Sequence, residues 1–462
     1  MSMFDPGSFR DPAGRIVHHD NEILRAVFTA GGSAFEAASQ AGVYDKAIRS
    51  GRLVAMETRD PAMLADMRPE PRHLLAHPRL DFVSYPYEWT FSALKAAALL
   101  HLDFHLDLLA DGFTLSDATA YNIQFNGTRP VFIDHLSVIP YEDGMMWAAQ
   151  RQFGMQFLNP LILWSKRGVA PNPWFRGSGE GLPPEDIARL LRRRDKFSFT
   201  VLAHVVAQSV LQQRGVARGA GGSQKPRQHL SRRNFVSILR SLRDYIAALS
   251  FPGGASIWSD YAERNSYDEA QRSDKHAFVA EMTGAVRPGL LFDIGCNTGD
   301  FTRTALTNGA SAAVGFDFDF GALEKAFARF QKSGDKVLPL WLDAANPSPS
   351  QGWAGAERQS FASRAKGDAV LALAVVHHLA IARNIPLEMA IDWLMSLAPC
   401  GIIEFPSKSD PMVAELLSTR ADIFPDYNEE AFLSFVGQRA AIVSQRRLGD
   451  GGRLMVRYEK RG

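Results

Sequence analysis

The residues best suited to chemistry begin in the last third of the chain, with LLFDIGCNTGDFTRTAL. An apolar run ends at Asp293. A loop with Gly295, Cys296, Asn297 and Gly299 follows, and a helix is predicted from near Asp300 to before Gly309. Glycines there let the backbone turn tightly and approach a ligand closely. The first turn of the helix presents unpaired N–H groups to an anion. The loop lacks the G-x-G-x-x-G spacing of a pyrophosphate cradle. Two more carboxylates end the next two apolar runs: Asp317, followed by Phe318, in VGFDFD, and Asp343 in LWLDAAN. A carboxylate can accept both hydroxyls of a ribose through charge-assisted hydrogen bonds. His377 and His378 close the next run, LALAVVHHL, and Glu404 ends the one after it. Histidines and carboxylates can take a proton from a reacting group. Singly, Asp293 reads as a helix cap, Asp317 as a turn residue and Asp343 as part of an ordinary loop. Their place at the ends of successive runs favours convergence. Cys296 reads as a small residue filling the loop.

Such residues converge only if the runs form one sheet. Residues 290–294, 313–317, 337–342, 369–375 and 401–405 are short and apolar, and helical stretches separate most of them. That alternation predicts a parallel sheet with helices on both faces, and ligands in such sheets sit beyond the carboxyl ends of the strands. Residues 441–446 and 453–458, around Gly449-Asp450-Gly451-Gly452, predict a terminal hairpin. Short strands are predicted over 22–28 and 53–57, a long apolar helix over 91–110 and a largely helical stretch over 184–212. Helices are also predicted over 235–249 and 268–285. Between them WSDYAERNSYDE carries Tyr261, Asn265 and Tyr267.

The D-x-G-x-x-x-G loop, Asp317, Asp343, LALAVVHHL and the hairpin together resemble class I, Rossmann-like S-adenosylmethionine-dependent methyltransferases. The resemblance implies S-adenosyl-L-methionine as cofactor. Asp293, Gly295, Cys296, Asn297 and Gly299 would form its loop, Asp317 and Phe318 its ribose side, and Asp343 its adenine contact. Tyr267 would belong to a lid over the methionine. Methyl transfer from a sulfonium chiefly needs alignment of nucleophile and methyl. A general base adds roughly 10²–10⁴-fold where the acceptor loses a proton. His377, His378 and Glu404 are the candidates for it. No Asn/Asp-Pro-Pro-aromatic motif follows the fourth run, and neither cysteine is placed to attack a pyrimidine. A small-molecule or glycan acceptor is therefore expected, with nucleic acid disfavoured and no metal site.

In the N-terminal half, LSDATAYNIQFNGTRPVFID places Asp117 five residues before Asn122, then an Asn126-Gly127 hairpin, then Asp134. Asn-Gly between apolar runs is a strong hairpin signal. The segment resembles the catalytic segment of kinase-like phosphotransferases, in which such residues orient a hydroxyl and hold Mg²⁺. It departs from that pattern at Leu115-Ser116, at His135-Leu136 and in lacking a Gly-rich phosphate loop; TAGGSAFEAASQAG looks helical. A degenerate domain is the expectation, with a bifunctional enzyme as the alternative. The pairing of this half with the methyltransferase segment also resembles bacterial nodulation-related methyltransferases, which hints at glycan or lipo-oligosaccharide acceptors.

The chain has 462 residues, 46% apolar and 22% charged, a formal net charge of +1 and two cysteines. That balance creates no global field favouring nucleic acid or membrane. It also excludes a disulfide framework and fits a reducing compartment. No signal peptide is read at the start, and runs 96–102 and 369–376 fall short of the ~20 residues that span a bilayer. A cytoplasmic enzyme is expected. Its organisation is read as an N-terminal α+β domain over 1–213, a flexible basic linker over 214–233, a helical connector and lid over 234–289, and the methyltransferase domain over 290–462. An RNA methyltransferase using the basic linker is a third reading.

Overall fold

In a computed structural model, residues 3–206, 229–253, 269–418, 420–449 and 452–461 are described. Residues 214–228 of the expected linker, and Tyr261, Asn265 and Tyr267, lie outside them. The chain forms two compact units. The first comprises Met1–Phe125, Arg129–Pro252 and Ser350–Arg358; the second comprises Asn126–Thr128, Gly253–Pro349 and Gln359–Gly462.

The first unit opens with an antiparallel sheet ordered β1 (Met3–Phe4), β2 (Gly14–His19), β3 (Glu22–Val27), β5 (His73–His77), β4 (Glu57–Arg59). Its apolar face buries Val17, Leu24, Ala26, Leu74 and Ala76 with Phe28 and Leu64. A helix, Thr29–Gln40, leaves β3 directly. The predicted long helix runs over Phe91–Ala110, and its start is capped where Thr90 Oγ1 accepts from the Ala93 N–H at 3.1 Å. Strands β6 (Phe113–Leu115) and β9 (Val138–Pro140) pair, as do β7 (Ile123–Asn126) and β8 (Arg129–Phe132). Gly127, at φ +58°, makes the predicted turn between β7 and β8.

Three local expectations change. The strand expected over 53–57 forms only from Glu57, because Leu53 and Val54 are buried by bonding to Phe132 instead. The stretch expected to be largely helical over 184–212 is interrupted: its first helix ends at Leu190, where extended Leu191 (ψ 138°) breaks it, and helical turns resume over Arg193–Lys196, Phe199–Val201 and Leu202–Val206, while 207–212 lie outside the described residues. The end of the expected linker is helical: Ser231 caps Arg232–Ala248, so Arg232 and Arg233 lie in a helix.

The second unit is α/β and Rossmann-like. Its sheet is ordered β12 (Val337–Trp341), β11 (Ala312–Asp317), β10 (Leu290–Ile294), β13 (Ala369–Ala372), β14 (Cys400–Pro406), β16 (Arg453–Glu459), β15 (Ala441–Leu448). The first five strands in that order are parallel; β16 is antiparallel to β14 and to β15, as the predicted hairpin requires, so β15 runs in the same direction as the first five. Burial on both faces explains why β10 and β13 read as continuous apolar runs. Pro339 in β12 is tolerated because that strand is an edge. One core runs from Phe278 and Met282 of the Glu269–Val286 helix through Leu291, Ala313, Leu371 and Ile402 to Met455. The order of connection reverses between β10 and β13, so a crevice opens beyond their carboxyl ends.

Candidate active site

The loop after β10 is held by its backbone. The N–H groups of Gly295 and Cys296 donate to the Phe316 carbonyl of β11 at 2.8 and 3.0 Å, and the Gly299 N–H donates to the Cys296 carbonyl at 2.8 Å. Gly299 has φ +79°, and a Cβ there would meet the Phe330 ring at 2.5 Å, so only glycine lets the Asp300–Thr307 helix start so close to its neighbour. Cys296 is buried against Gly315, as a loop filler should be.

Three carboxylates end three successive strands. Asp293 is buried and accepts from Thr302 Oγ1 at 2.5 Å; burial pushes its carboxyl up to about 7. Asp317 accepts the Asn297 N–H on Oδ2 and the Asp319 N–H on Oδ1, both at 2.8 Å. Burial pushes it up to about 6 against the pull of those two donors. Asp343 accepts the Ala345 N–H at 3.1 Å and pairs with Arg383 at 3.1 Å. Phe318, 55% exposed, leans on Trp341 with ring centroids 5.8 Å apart, and Trp341 stacks on Phe320 at 5.7 Å. This is a stiff apolar wall beside Asp317.

A cavity of about 580 Å³ joins these groups. Asp293, Gly295, Cys296, Asn297, Asp317, Phe318, Asp343, His377 and His378 all line it; Gly299 and Glu404 do not. The two histidine rings lie 4.0 Å apart, just after Ala374, whose φ of +54° turns the chain out of β13. Burial, helped by the field of Arg453, lowers His378 to about 4. Burial, His378 and the same field hold His377 well below its usual range. Both rings are neutral at neutral pH. Among the described residues, His377 Nδ1 and Asn297 Oδ1 are buried without a hydrogen-bond partner, as polar groups that serve a ligand would be.

Glu404 is fully buried, with Oε2 accepting from Lys275 Nζ at 2.7 Å and Oε1 from Arg453 Nη1 at 3.1 Å. Burial would raise its carboxyl, but those two cations hold it below the usual range. Its oxygens are committed to holding the cations. Arg453 is gripped further by Asp410, at 2.6 and 3.2 Å. Lys275, Arg453, Arg272 and Arg383 line the cavity, and the sequence reading missed all four. Lys275 sits in a helix of mixed charge, where only a buried acidic partner on a distant strand would single it out.

In the first unit, Asp117, Asn122 and Asp134 do meet. Asn122 Nδ2 donates to Asp117 Oδ2 at 3.1 Å and to Asp134 Oδ2 at 3.3 Å. Arg25 of β3 donates to Asp134 Oδ1 at 3.1 Å and to the Ile133 carbonyl at 2.9 Å, and the Leu136 N–H also reaches Asp134 Oδ1 at 3.2 Å. Donors thus cover both oxygens of Asp134, and a guanidinium supplies the positive charge. This arrangement does not fit the Mg²⁺ that the phosphotransferase resemblance implies.

No family model matches the chain. Nodulation protein NoeA of Rhizobium meliloti (strain 1021) is 45% identical over 458 residues, which is 98% of this chain and 95% of that protein. The chain belongs to the NoeA family. The expected kinship with nodulation-related proteins is thereby borne out. Similar solved structures include the N-methyltransferase NodS from Bradyrhizobium japonicum WM9 in complex with S-adenosyl-L-homocysteine (13% identical, 45% of this chain, 100% of that chain, TM-score 0.32). Magnesium protoporphyrin IX methyltransferase from Synechocystis PCC 6803 is another (18% identical, 45% of this chain, 90% of that chain, TM-score 0.30). Among the described residues no helix is long and apolar enough to cross a membrane.

Proposed function

We propose that the second unit transfers a methyl group from S-adenosyl-L-methionine to a small-molecule or glycan acceptor. One observation carries the reading: Asp293, Asp317 and Asp343, at the ends of three neighbouring parallel strands, open onto one cavity walled by Phe318. The residues present fit that cofactor. Asp317, already oriented by two backbone donors, keeps lone pairs for both ribose hydroxyls. Asp343, at the end of the neighbouring strand, would accept from the adenine amino group, and Phe318 offers an apolar face. The Gly295–Gly299 loop leaves backbone room for the methionine portion. When bound, the cofactor supplies an activated methyl group; the chain supplies alignment and dryness.

His377 and His378 lie at the end of β13, next to the loop, where an acceptor would meet the methyl group. Being neutral, either ring can receive a proton from an acceptor hydroxyl or amine. Their low basicity means that the proton moves late, once the acceptor has become acidic through bond formation. Glu404 acts one layer back, positioning Lys275 and Arg453. The first unit serves as a non-catalytic domain, its Asp117–Asn122–Asp134 cluster closed by Arg25.

The reading is tested by isothermal titration of the chain with S-adenosyl-L-homocysteine, followed by transfer of labelled methyl groups to an acceptor panel. Micromolar binding is expected. A chain that binds no S-adenosyl-L-homocysteine, with or without candidate acceptors, would refute it.

A further inference from the structure

Two of the cavity's cations, Arg383 and Arg272, pair with acids that line it too, Asp343 and Asp300, whereas Lys275 and Arg453 stand together at one end. In the strand order β12-β11-β10-β13-β14-β16, the three carboxylates end β10, β11 and β12, the histidines follow β13, and Arg453 begins β16. Neighbouring strands lie about 4.8 Å apart, so three steps carry the cavity from β10 to β16 over about 14 Å. At that far end Lys275 and Arg453 form the wall, while their carboxylate partners Glu404 and Asp410 do not line the cavity. The cations stand in front and the acids behind. Lys275 is 2% exposed and Arg453 9%, so both are largely desolvated. A buried ion network of this kind adds little to stability over apolar packing of similar volume. Its placement as a cavity wall therefore points to recognition.

We propose that the acceptor carries an oxyanion (a carboxylate, sulfate or phosphate group) that Lys275 and Arg453 bind beside His377 and His378. The assignment rests on the methyltransferase reading: with the methyl donor over β10 and β13, the acceptor lies over β13 to β16. Two further observations agree. The positive field of Arg453 reaches both histidines and that of Lys275 reaches His377, and each disfavours protonation. An anion seated on those cations offsets that field and makes the histidines stronger bases only when the acceptor is in place. Met412, half-buried, lines the same part of the cavity and supplies an apolar side to the acceptor.

The test uses the full chain saturated with S-adenosyl-L-homocysteine, titrated at constant ionic strength with sulfate, phosphate and glucuronate. At least one should bind with the cofactor product still in place, and which one binds identifies the group. Met412→Glu, which adds a negative charge to that wall at a half-buried position, should weaken the oxyanion at least tenfold while S-adenosyl-L-homocysteine affinity stays within twofold. In the wild type, oxyanion binding should also raise the NMR-measured pKa of His378. The assignment is overturned if no oxyanion binds the loaded chain, or if Met412→Glu leaves binding unchanged. It is also overturned if the oxyanions displace S-adenosyl-L-homocysteine, for the cations then serve the cofactor's own carboxylate. Failure of S-adenosyl-L-homocysteine itself to bind appears in the first titration and overturns the methyltransferase reading, and this assignment with it.

Discussion

Replacing Asp317 by asparagine separates what that carboxylate does for the loop from what it does for a ligand. Each of its oxygens accepts one backbone N–H, from Asn297 and Asp319, at 2.8 Å. A carboxamide has one acceptor oxygen, so its NH2 must face one of those N–H groups. Leaving a buried donor unmatched costs about 1–3 kcal/mol, and this should appear as lower stability of the free protein. Loss of the charge weakens hydrogen bonds to ribose hydroxyls, and bonds to charged groups are worth about 1.5–3 kcal/mol. At 1.4 kcal/mol per decade, S-adenosyl-L-homocysteine should bind about 10–100-fold more weakly. The assay is isothermal titration with parallel thermal melts at pH 7.5, where a carboxyl pushed up to about 6 is ionised. Asp317→Ala, which leaves both backbone donors unmatched, should lose comparable affinity and at least as much stability. Binding by Asp317→Asn within threefold of wild type would refute the assignment of the ribose contact.

Three further outcomes are expected. Lys275→Met leaves one Glu404 oxygen buried without its cation and should cost about 3 kcal/mol in urea unfolding; the double variant Lys275→Met/Glu404→Gln should recover most of that, and a double variant no better than the single would sink the account. The first unit should lose stability as pH falls below 6.5. Burial depresses His77 to about 4 and His101 to about 3. The unfolded chain therefore takes up more protons between pH 6.5 and those values, and stability present above 6.5 declines, by at most about 5 kcal/mol for His101. His101→Leu should flatten the pH profile of the denaturation midpoint, and an unchanged slope would contradict this. Arg25→Met should destabilise the first unit by about 3 kcal/mol, because it strips Asp134 of its buried cation. Neither the wild type nor this variant should hydrolyse Mg-ATP; hydrolysis by the wild type that is lost in Asp134→Ala would restore the phosphotransferase reading.

Local pattern was enough to recover the second unit's order of elements. Runs such as LLF and AVLA are apolar throughout because both faces of a central parallel strand are buried, and the loop between Asp293 and Asp300 needs glycine whatever surrounds it. The carboxylates were legible because each lies at or within two residues of the end of its strand. So was the Asp117–Asn122–Asp134 set, whose spacing spans a single hairpin. What sequence spacing does not encode is the partner across the sheet. Lys275 meets Glu404 at a separation of 129 residues, and Arg25 meets Asp134 at 109. Those meetings turned a suspected base, Glu404, into the support of a cationic wall. They also made a closed ion pair of Asp134, which the phosphotransferase resemblance would have made a metal ligand. Side-chain identity and strand periodicity determined which residues end the strands. Only the tertiary packing, which sets what desolvates and neutralises each buried charge, decided what those residues are free to do.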